Sequence, residues 1–327
     1  MAPVPHNRLT FDQREIDAVA AVIASGNWAG GNVVWEMESR FASLAGVKHA
    51  CATSSGISAL RLALQALQIG PGDRVAVPAY SCVALPNAVL ACGGIPVPLD
   101  VEEGTWNLSP AALAAEKNLR AAIVVHTFGL PADFAKLRAT GVPLIEDCSH
   151  GFGRVGMGSL GDVSMLSLYA TKLIGAGQGG VVLTNDDTHA AFLRDASDYV
   201  DKPMAVHRQR ETMSAPEAAL ALCQLDRLPD LLARRDALAA RYDTAFGKTS
   251  PKSDRVWYRY TITVPDAASF TAQMEQQGIH AASPVENWCE TPLPVATRAF
   301  REIVSLPLYP TLTEEEQDLV IEAAQTM

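Results

Sequence analysis

The chain has 327 residues, a formal net charge of −10, and 48% apolar against 19% charged residues. That balance excludes a disordered chain. The acidic surplus excludes a general nucleic-acid binder and means that any phosphate-bearing ligand needs a locally positive site. The length fits one large domain plus a smaller one. The six cysteines, Cys51, Cys82, Cys92, Cys148, Cys223 and Cys289, form no CxxC or zinc-like spacing. Reduced thiols and a cytoplasmic location are expected. The N-terminus lacks the apolar core of a signal peptide, and no apolar run of about 18 residues predicts a membrane span.

Residues 10–25 carry helical periodicity, with Ile16, Val19, Ala20, Val22 and Ile23 on one face. A second helix is expected from Val34 to Leu44, with Phe41 inward and Glu36, Glu38 and Arg40 outward. Cys51-Ala-Thr-Ser-Ser-Gly-Ile-Ser-Ala-Leu60 follows, then an apolar helix from Leu60 to Leu67. A Ser/Gly turn opening a helix leaves backbone N–H groups free for an anion; N-capping by Ser54 or Ser55 explains the same residues.

From residue 71, strands and helices alternate. Strands are expected at Arg74–Pro78, Ile95–Leu99, Ala121–Val125, Val142–Glu146, Val163–Tyr169 and Val181–Thr184. Helices are expected at Ser81–Cys92, Pro110–Ala115 and Ala132–Ala139. The prolines of Ile95–Leu99 mark a short or edge strand. This alternation predicts a mostly parallel sheet covered on both faces, with ligands bound beyond the strand C-termini. His126, Asp147, His150 and Lys172 fall on that rim. Met213 to Phe246 reads as one long helix, Lys248–Asp254 as a polar linker, and the remainder as a small strand–helix–strand–helix unit. The expected division is 1–246 and 247–327, with residues 1–25 free to pack against the smaller unit.

Two glycine patterns, Gly151-Gly153-Gly156 and Gly156-Gly158-Gly161, match GxGxxG but run into a strand instead of opening a helix, which fails the dinucleotide reading. Gly247-Lys-Thr249 resembles the end of a P-loop, but Tyr242 stands where a glycine is required. What remains is a lysine at a strand end, Lys172, with Asp147, His150 and Ser167. A lysine there is either a solvated loop residue or one that forms a Schiff base. Pyridoxal phosphate needs a lysine for its aldehyde, an acid for its ring nitrogen and anion-binding backbone for its phosphate.

The chain resembles the DegT/DnrJ/EryC1/StrS family, sugar aminotransferases among the fold-type I pyridoxal phosphate enzymes. The resemblance runs through Ser55-Gly-Ile-Ser-Ala-Leu60, Pro71–Tyr80, Val125-His-Thr-Phe-Gly129, Ile145–Gly153, Gly158–Lys172, Gly177-Gln-Gly-Gly180, Met213–Ala219 and Leu306-Pro-Leu-Tyr-Pro310. It implies an α/β fold with a mostly parallel central sheet and a smaller C-terminal α+β domain. It implies that Lys172 carries pyridoxal 5'-phosphate as a Schiff base and moves the proton, and that Asp147 pairs with the ring nitrogen. His150 lies against the cofactor in this pattern. Ser167 holds the phosphate with Gly56, Ile57 and Ser58.

Three residues depart from the family pattern. Cys82 stands where an aromatic ring stacks on the cofactor, with Tyr80 nearby as a substitute; Ile57 replaces a threonine after the loop glycine. Arg210, aligned with an asparagine that reaches the partner subunit's phosphate, either does the same or belongs to a solvated run, His207-Arg-Gln-Arg210. The chain is also short around residues 198–209 and 279–305, where the family holds nucleotide-sugar.

The expected reaction is two-step transamination. Glutamate or glutamine leaves its nitrogen on the cofactor as pyridoxamine phosphate, and a keto-sugar accepts it, in a homodimer with the site at the subunit interface. The shortened regions also suit a smaller carbonyl acceptor. A same-fold dehydratase is opposed by Lys172. A non-catalytic, sensory protein has only Cys82, Ile57 and Arg210 in its favour.

Overall fold

The computed structural model describes residues 3–154, 156–200, 202–203, 208–248 and 255–327. Two helices, α1 (Gln13–Ser25) and α2 (Asn32–Ala45), precede the sheet. The chain continues through β1 (His49–Thr53), α3 (Gly56–Ala66), β2 (Arg74–Pro78), α4 (Ala84–Ala91), β3 (Ile95–Leu99), α5 (Pro110–Ala115) and β4 (Ala121–Val125). Next come α6 (Phe134–Arg138), β5 (Leu144–Asp147), β6 (Val163–Ser167), β7 (Gly180–Thr184), α7 (Asp187–Ala196) and the long α8 (Ala215–Ala245). The C-terminal part holds β8 (Tyr260–Thr263), α9 (Ala267–Gln276), α10 (Pro294–Glu302), β9 (Ile303–Leu306) and α11 (Glu314–Gln325). Of the polar linker at 248–254, all but Lys248 lies outside the described residues, as does His207.

Strands β1 to β7 form one sheet in the order β1-β7-β6-β5-β4-β2-β3. The pairs from β3 through β6 are parallel, whereas β7 runs antiparallel to both β6 and β1. Two reversals leave β1 pointing the same way as β6, so the C-terminal ends of β1, β4, β5 and β6 share one edge. In register, Val125 pairs with Asp147 and Asp147 with Met165. The proline-bearing β3 takes the outer edge, where a missing N–H costs no ladder bond.

The two faces separate by alternation. Val75, Val77, Ile123, Val163 and Met165 pack under α3 and α4. Leu166, Val181 and Leu183 pack against Met37 and Phe41 of α2 and Ala218 and Leu225 of α8. Each fully buried Val or Leu contributes roughly 1.5–3 kcal/mol over exposure. The antiparallel pair β8–β9 has its own core, which includes Leu238 and Tyr242 of α8 and Val4 of the N-terminal segment. That core begins before residue 247, on the last turns of α8.

Several expectations change. β1 was expected as the run-up to a helix. Its sequence, His-Ala-Cys-Ala-Thr, has little β-propensity, and it is a strand because β7 pairs with all five of its residues. α3 begins at Gly56, four residues early, capped by Ser55, whose hydroxyl accepts from the N–H of Ser58. The polar helix α7 and the short α10 went unpredicted. Glu38 is buried, not outward: it accepts from the N–H of Ala52 and takes both terminal guanidinium nitrogens of Arg194 at 2.6 and 2.7 Å. The apolar face of α1 is the reverse case. Ile16 and Ile23 are exposed, and the only buried α1 residue is Glu15, which docks the helix on α8 through Gln224 and Arg227 at 2.7 Å each.

Candidate active site

Beyond the shared strand edge lies a cavity of about 530 Å³. Gly56, Ile57, Tyr80, Cys82, Asp147, His150, Ser167 and Lys172 all line it, joined by Ser149, Tyr169, Thr171, Tyr258, Arg259 and Glu286. Asp147 is the last residue of β5 and Ser167 the last of β6. Lys172 follows in a turn, where its N–H donates to the carbonyl of Tyr169 at 2.8 Å. His150 sits in the turn after β5.

Lys172 Nζ stands 3.1 Å from Nε2 of His150. The imidazole stacks on the ring of Tyr258, centroids 4.1 Å apart and planes 13° off parallel. Burial first, then the positive charges of Lys172 and Arg259, hold its pKa well below the usual histidine value. A bond in which Nζ donates to Nε2 leaves the ring hydrogen on Nδ1, which is buried with no partner among the described residues. Burial alone would raise the pKa of the Tyr258 hydroxyl; the charges of Lys172, Arg259 and Arg235 outweigh it and bring it down. Asp147 is 7% exposed. Its Oδ1 accepts from the N–H of Ser149 at 2.9 Å, and its other oxygen has no hydrogen bond among the described residues.

Gly56 opens α3 directly against β6. A Cβ placed on it meets Ser167 Cβ at 2.5 Å and Ser167 Oγ at 2.6 Å, so only glycine allows the helix N-terminus this close to that hydroxyl. The first-turn N–H groups of α3 and the Ser167 hydroxyl form a compact anion cradle. Ser58 lies just outside it: its N–H is taken by Ser55 Oγ, and its hydroxyl lies within hydrogen-bonding distance of those of Ser54 and Ser55.

The remaining expected residues divide. Tyr80 is almost fully buried, edge-on to Trp106, Phe128 and Phe300 with ring centroids 5.0–6.1 Å away. That packing fixes its ring inside the cavity wall, while Cys82 is an exposed thiol on the rim. Arg210 is exposed and lines no part of its own chain's cavity, nor does it form an ion pair among the described residues. Its neighbour Glu211 is anchored, with its carbonyl accepting from Ser54 N–H at 2.7 Å and its carboxylate paired with Arg61.

His126 leaves the rim altogether. It is fully buried, Nε2 is 2.9 Å from Glu146 Oε1, and Nδ1 accepts from Ala132 N–H. Glu146 also accepts from the N–H groups of Gly158, Leu160 and Gly161 and from the Ser164 hydroxyl. The glycine-rich loop that mimics a dinucleotide motif therefore wraps a carboxylate of its own chain. Burial pushes the Glu146 pKa up, but the His126 hydrogen bond and charge, with those N–H and O–H donors, hold it down to about 2.

Tyr258 and Arg259, among the residues nearest Lys172, were not anticipated. They lie far along the chain, in a stretch that reads only as the entry to a small-domain strand. Gly129 brings them in. At φ +83° its carbonyl accepts from Val256 N–H at 2.9 Å, and a Cβ there would overlap the Val256 carbonyl oxygen. Arg235 of α8 then grips the carbonyls of Trp257 and Tyr258, each at 3.2 Å.

Comparison with known proteins gives one consistent picture. The profile of the DegT/DnrJ/EryC1/StrS aminotransferase family matches residues 10–325. A dTDP-3-amino-3,4,6-trideoxy-alpha-D-glucose transaminase of Streptomyces venezuelae is 32% identical, with 94% of this chain and 90% of that protein covered. The X-ray structure of S. venezuelae DesV with a ketimine intermediate superposes at a TM-score of 0.91 with 30% identity, covering 100% of this chain and 98% of that one. The structure of NtdA from Bacillus subtilis with bound cofactor PMP gives 0.90 and 26%, covering 100% and 85%.

Proposed function

The chain belongs to the DegT/DnrJ/EryC1/StrS aminotransferase family, and on that premise we propose that it moves an amino group from glutamate or glutamine to a nucleotide-linked keto-sugar in two successive half-reactions. It is a pyridoxal phosphate-dependent aminotransferase. The residues present fit that cofactor. The Gly56–Ser167 approach makes a cradle for a phosphate, the buried Asp147 keeps one oxygen unspent, and His150 has an unpartnered ring nitrogen beside the lysine.

When bound, pyridoxal phosphate supplies a carbonyl that exchanges oxygen for nitrogen and a ring that accepts the electrons of a breaking C–H bond. The chain's own residues then divide the work. Nζ of Lys172 holds the cofactor between turnovers and takes the proton from the donor's α-carbon. The Asp147 carboxylate holds a proton on the ring nitrogen. His150, kept uncharged, orients Nζ without adding a second positive charge. Ser167 and the α3 N–H groups hold the phosphate.

The observation that carries this reading is the convergence of Lys172, Asp147, His150 and the Gly56–Ser167 cradle on one cavity from three separate stretches of chain. Two features support the sugar acceptor: the named activity of the S. venezuelae relative, and a cavity within the range of sites for drug-sized ligands. The cavity mouth is edged by the exposed apolar side chains of Ile57, Val83 and Tyr169. Such a rim favours a second copy of the chain as its cover, and in this reading the exposed Arg210, next to the Glu211 that holds the α3 loop, serves that copy's phosphate. All six cysteines are free thiols, in keeping with a cytoplasmic enzyme. Among the described residues, no helix is long and apolar enough to cross a membrane.

The test is the visible absorbance of the purified protein with added pyridoxal phosphate. Glutamate should bleach the band and a keto-sugar nucleotide restore it. Borohydride should fix the cofactor mass on the wild type and not on Lys172→Ala. A wild type with no visible band, or a variant that still gains the adduct at its usual site, refutes the reading.

A further inference from the structure

Arg259 shares the cavity with Lys172 and has no task in the account above. Its guanidinium carbon stands 5.1 Å from the centre of the Tyr258 ring, and Lys172 Nζ stands 5.3 Å from the same centre. Two cations thus flank one buried ring.

Several other arginines of this chain pair with a carboxylate, while the buried Arg235 is held by backbone carbonyls and forms no ion pair among the described residues. Arg194 pairs with Glu38, Arg227 with Glu15 and Arg61 with Glu211. Arg259 forms no ion pair among the described residues. Its side-chain partner is the ring of His6, with Nη1 3.0 Å from Nε2, and His6 is in turn within 2.9 Å of the Ser305 hydroxyl. Burial first, then the Arg259 charge, holds the His6 pKa down to about 3, so this partner is neutral at ordinary pH. The imidazole aims the guanidinium without discharging it. A cation left in that state beside a substrate cavity favours an anionic ligand, and the planar fork of N–H donors suits a carboxylate. The acids on the same cavity form no ion pair with it among the described residues: Asp147 spends one oxygen on the Ser149 N–H and leaves the other without a hydrogen bond, and Glu286 is exposed.

We propose that Arg259 binds the α-carboxylate of the amino donor while the donor's nitrogen is delivered beside Lys172. The inference rests on the aminotransferase reading above. An α-amino acid carries nitrogen and carboxylate on one carbon, so its two handles need two anchors close together, and Lys172 and Arg259 flank the same ring. The α-carboxylate is common to glutamate and glutamine, so one arginine serves either donor.

The first half-reaction of the holoenzyme, followed by its absorbance change, tests this with glutamate and with glutamine. Arg259→Gln should weaken the apparent affinity for both donors by the same factor, about 10- to 100-fold for a lost charged hydrogen-bonded pair. Arg259→Lys should recover part of it. Calorimetric titration of the holoenzyme with glutarate, which has no nitrogen to transfer, reads carboxylate binding apart from turnover and should show a matching loss. A loss confined to glutamate assigns Arg259 to the distal carboxylate and overturns the proposal, as does an Arg259→Gln protein equal to wild type with both donors. A wild type that binds pyridoxal phosphate yet is bleached by neither amino acid overturns the aminotransferase reading, and this inference with it.

Discussion

The imidazole of His150 lies between two partners that fix it differently: Lys172 Nζ at 3.1 Å sets its hydrogen bond, and the Tyr258 ring at 4.1 Å sets its plane. The histidine comes from the turn after β5 and the tyrosine from the entry to β8, so the lysine's surroundings are complete only when the C-terminal unit is docked.

Tyr258 should therefore support the site through its ring more than through its hydroxyl. Tyr258→Phe keeps the stack and should cost about 1 kcal/mol for the lost hydrogen bond between its hydroxyl and the Thr171 side chain. Tyr258→Ala removes a buried ring and should cost about 3 kcal/mol. Urea unfolding midpoints measure both. The first half-reaction should stay near wild type in the phenylalanine variant and slow markedly in the alanine variant. Equal behaviour of the two would show that the stack does not position His150.

Gly129 is the hinge of that docking. Alanine there must adopt a left-handed backbone, at roughly 1–2 kcal/mol, and its Cβ overlaps the carbonyl oxygen of Val256. Gly129→Ala should lower stability by at least about 2 kcal/mol and displace Tyr258 and Arg259. Loss of glutamate bleaching at temperatures where the variant is still folded, as monitored by far-UV circular dichroism, is the expected result. An active, fully stable variant would count against the hinge.

Much of the sheet was legible because its strands are buried on both faces and read as short apolar runs between helices. Lys172 and Asp147 were legible as polar residues at or just beyond the ends of such runs, whereas Ser167, inside the expected strand Val163–Tyr169, was marked through the family resemblance. β1 was not, since its identity as a strand lies in β7 and not in its own small residues. His126 looked like a site residue because strand ends carry sites, but its side chain turns away to Glu146. Tyr258 and Arg259 carried no local mark at all. Their role depends on a glycine contact more than 120 residues upstream, which periodicity cannot report.

The buried His126–Glu146 pair gives a pH signature with a definite sign. Folding lowers the Glu146 pKa from 4.5 to about 2. Its contribution is therefore fully present above pH 4.5 and is lost as the pH falls toward 2, because the unfolded chain takes up the proton first. His150 and His6 are lowered from 6.5 as well, so they add a loss of the same sign that begins below pH 6.5. Stability measured by urea unfolding should fall in two stages. Glu146→Gln should be less stable at pH 7 and show a shallower loss below pH 4.5, a stage that the other lowered carboxylates such as Asp187 and Asp195 also feed. A variant whose loss below pH 4.5 is as steep as that of the wild type would show that Glu146 contributes nothing to that stage.

Arg210 offers the sharpest test of assembly. It is exposed, forms no ion pair among the described residues and lines no part of its own cavity, yet Glu211 beside it is fixed to the loop that opens α3. If Arg210 serves the phosphate site of a second copy, Arg210→Ala and Lys172→Ala fail for complementary reasons. In a mixed dimer the subunit that keeps Lys172 then receives Arg210 from its partner, and one site is whole. Mixing the two inactive variants should restore glutamate-dependent turnover well above either alone, with sedimentation showing dimers throughout. If Arg210 acts within its own subunit, every mixed site lacks one of the two residues and mixing restores nothing. If Arg210→Ala alone retains wild-type cofactor affinity and rate, the residue belongs to the solvated surface, and the cradle of Gly56, the α3 N–H groups and Ser167 holds the phosphate unaided.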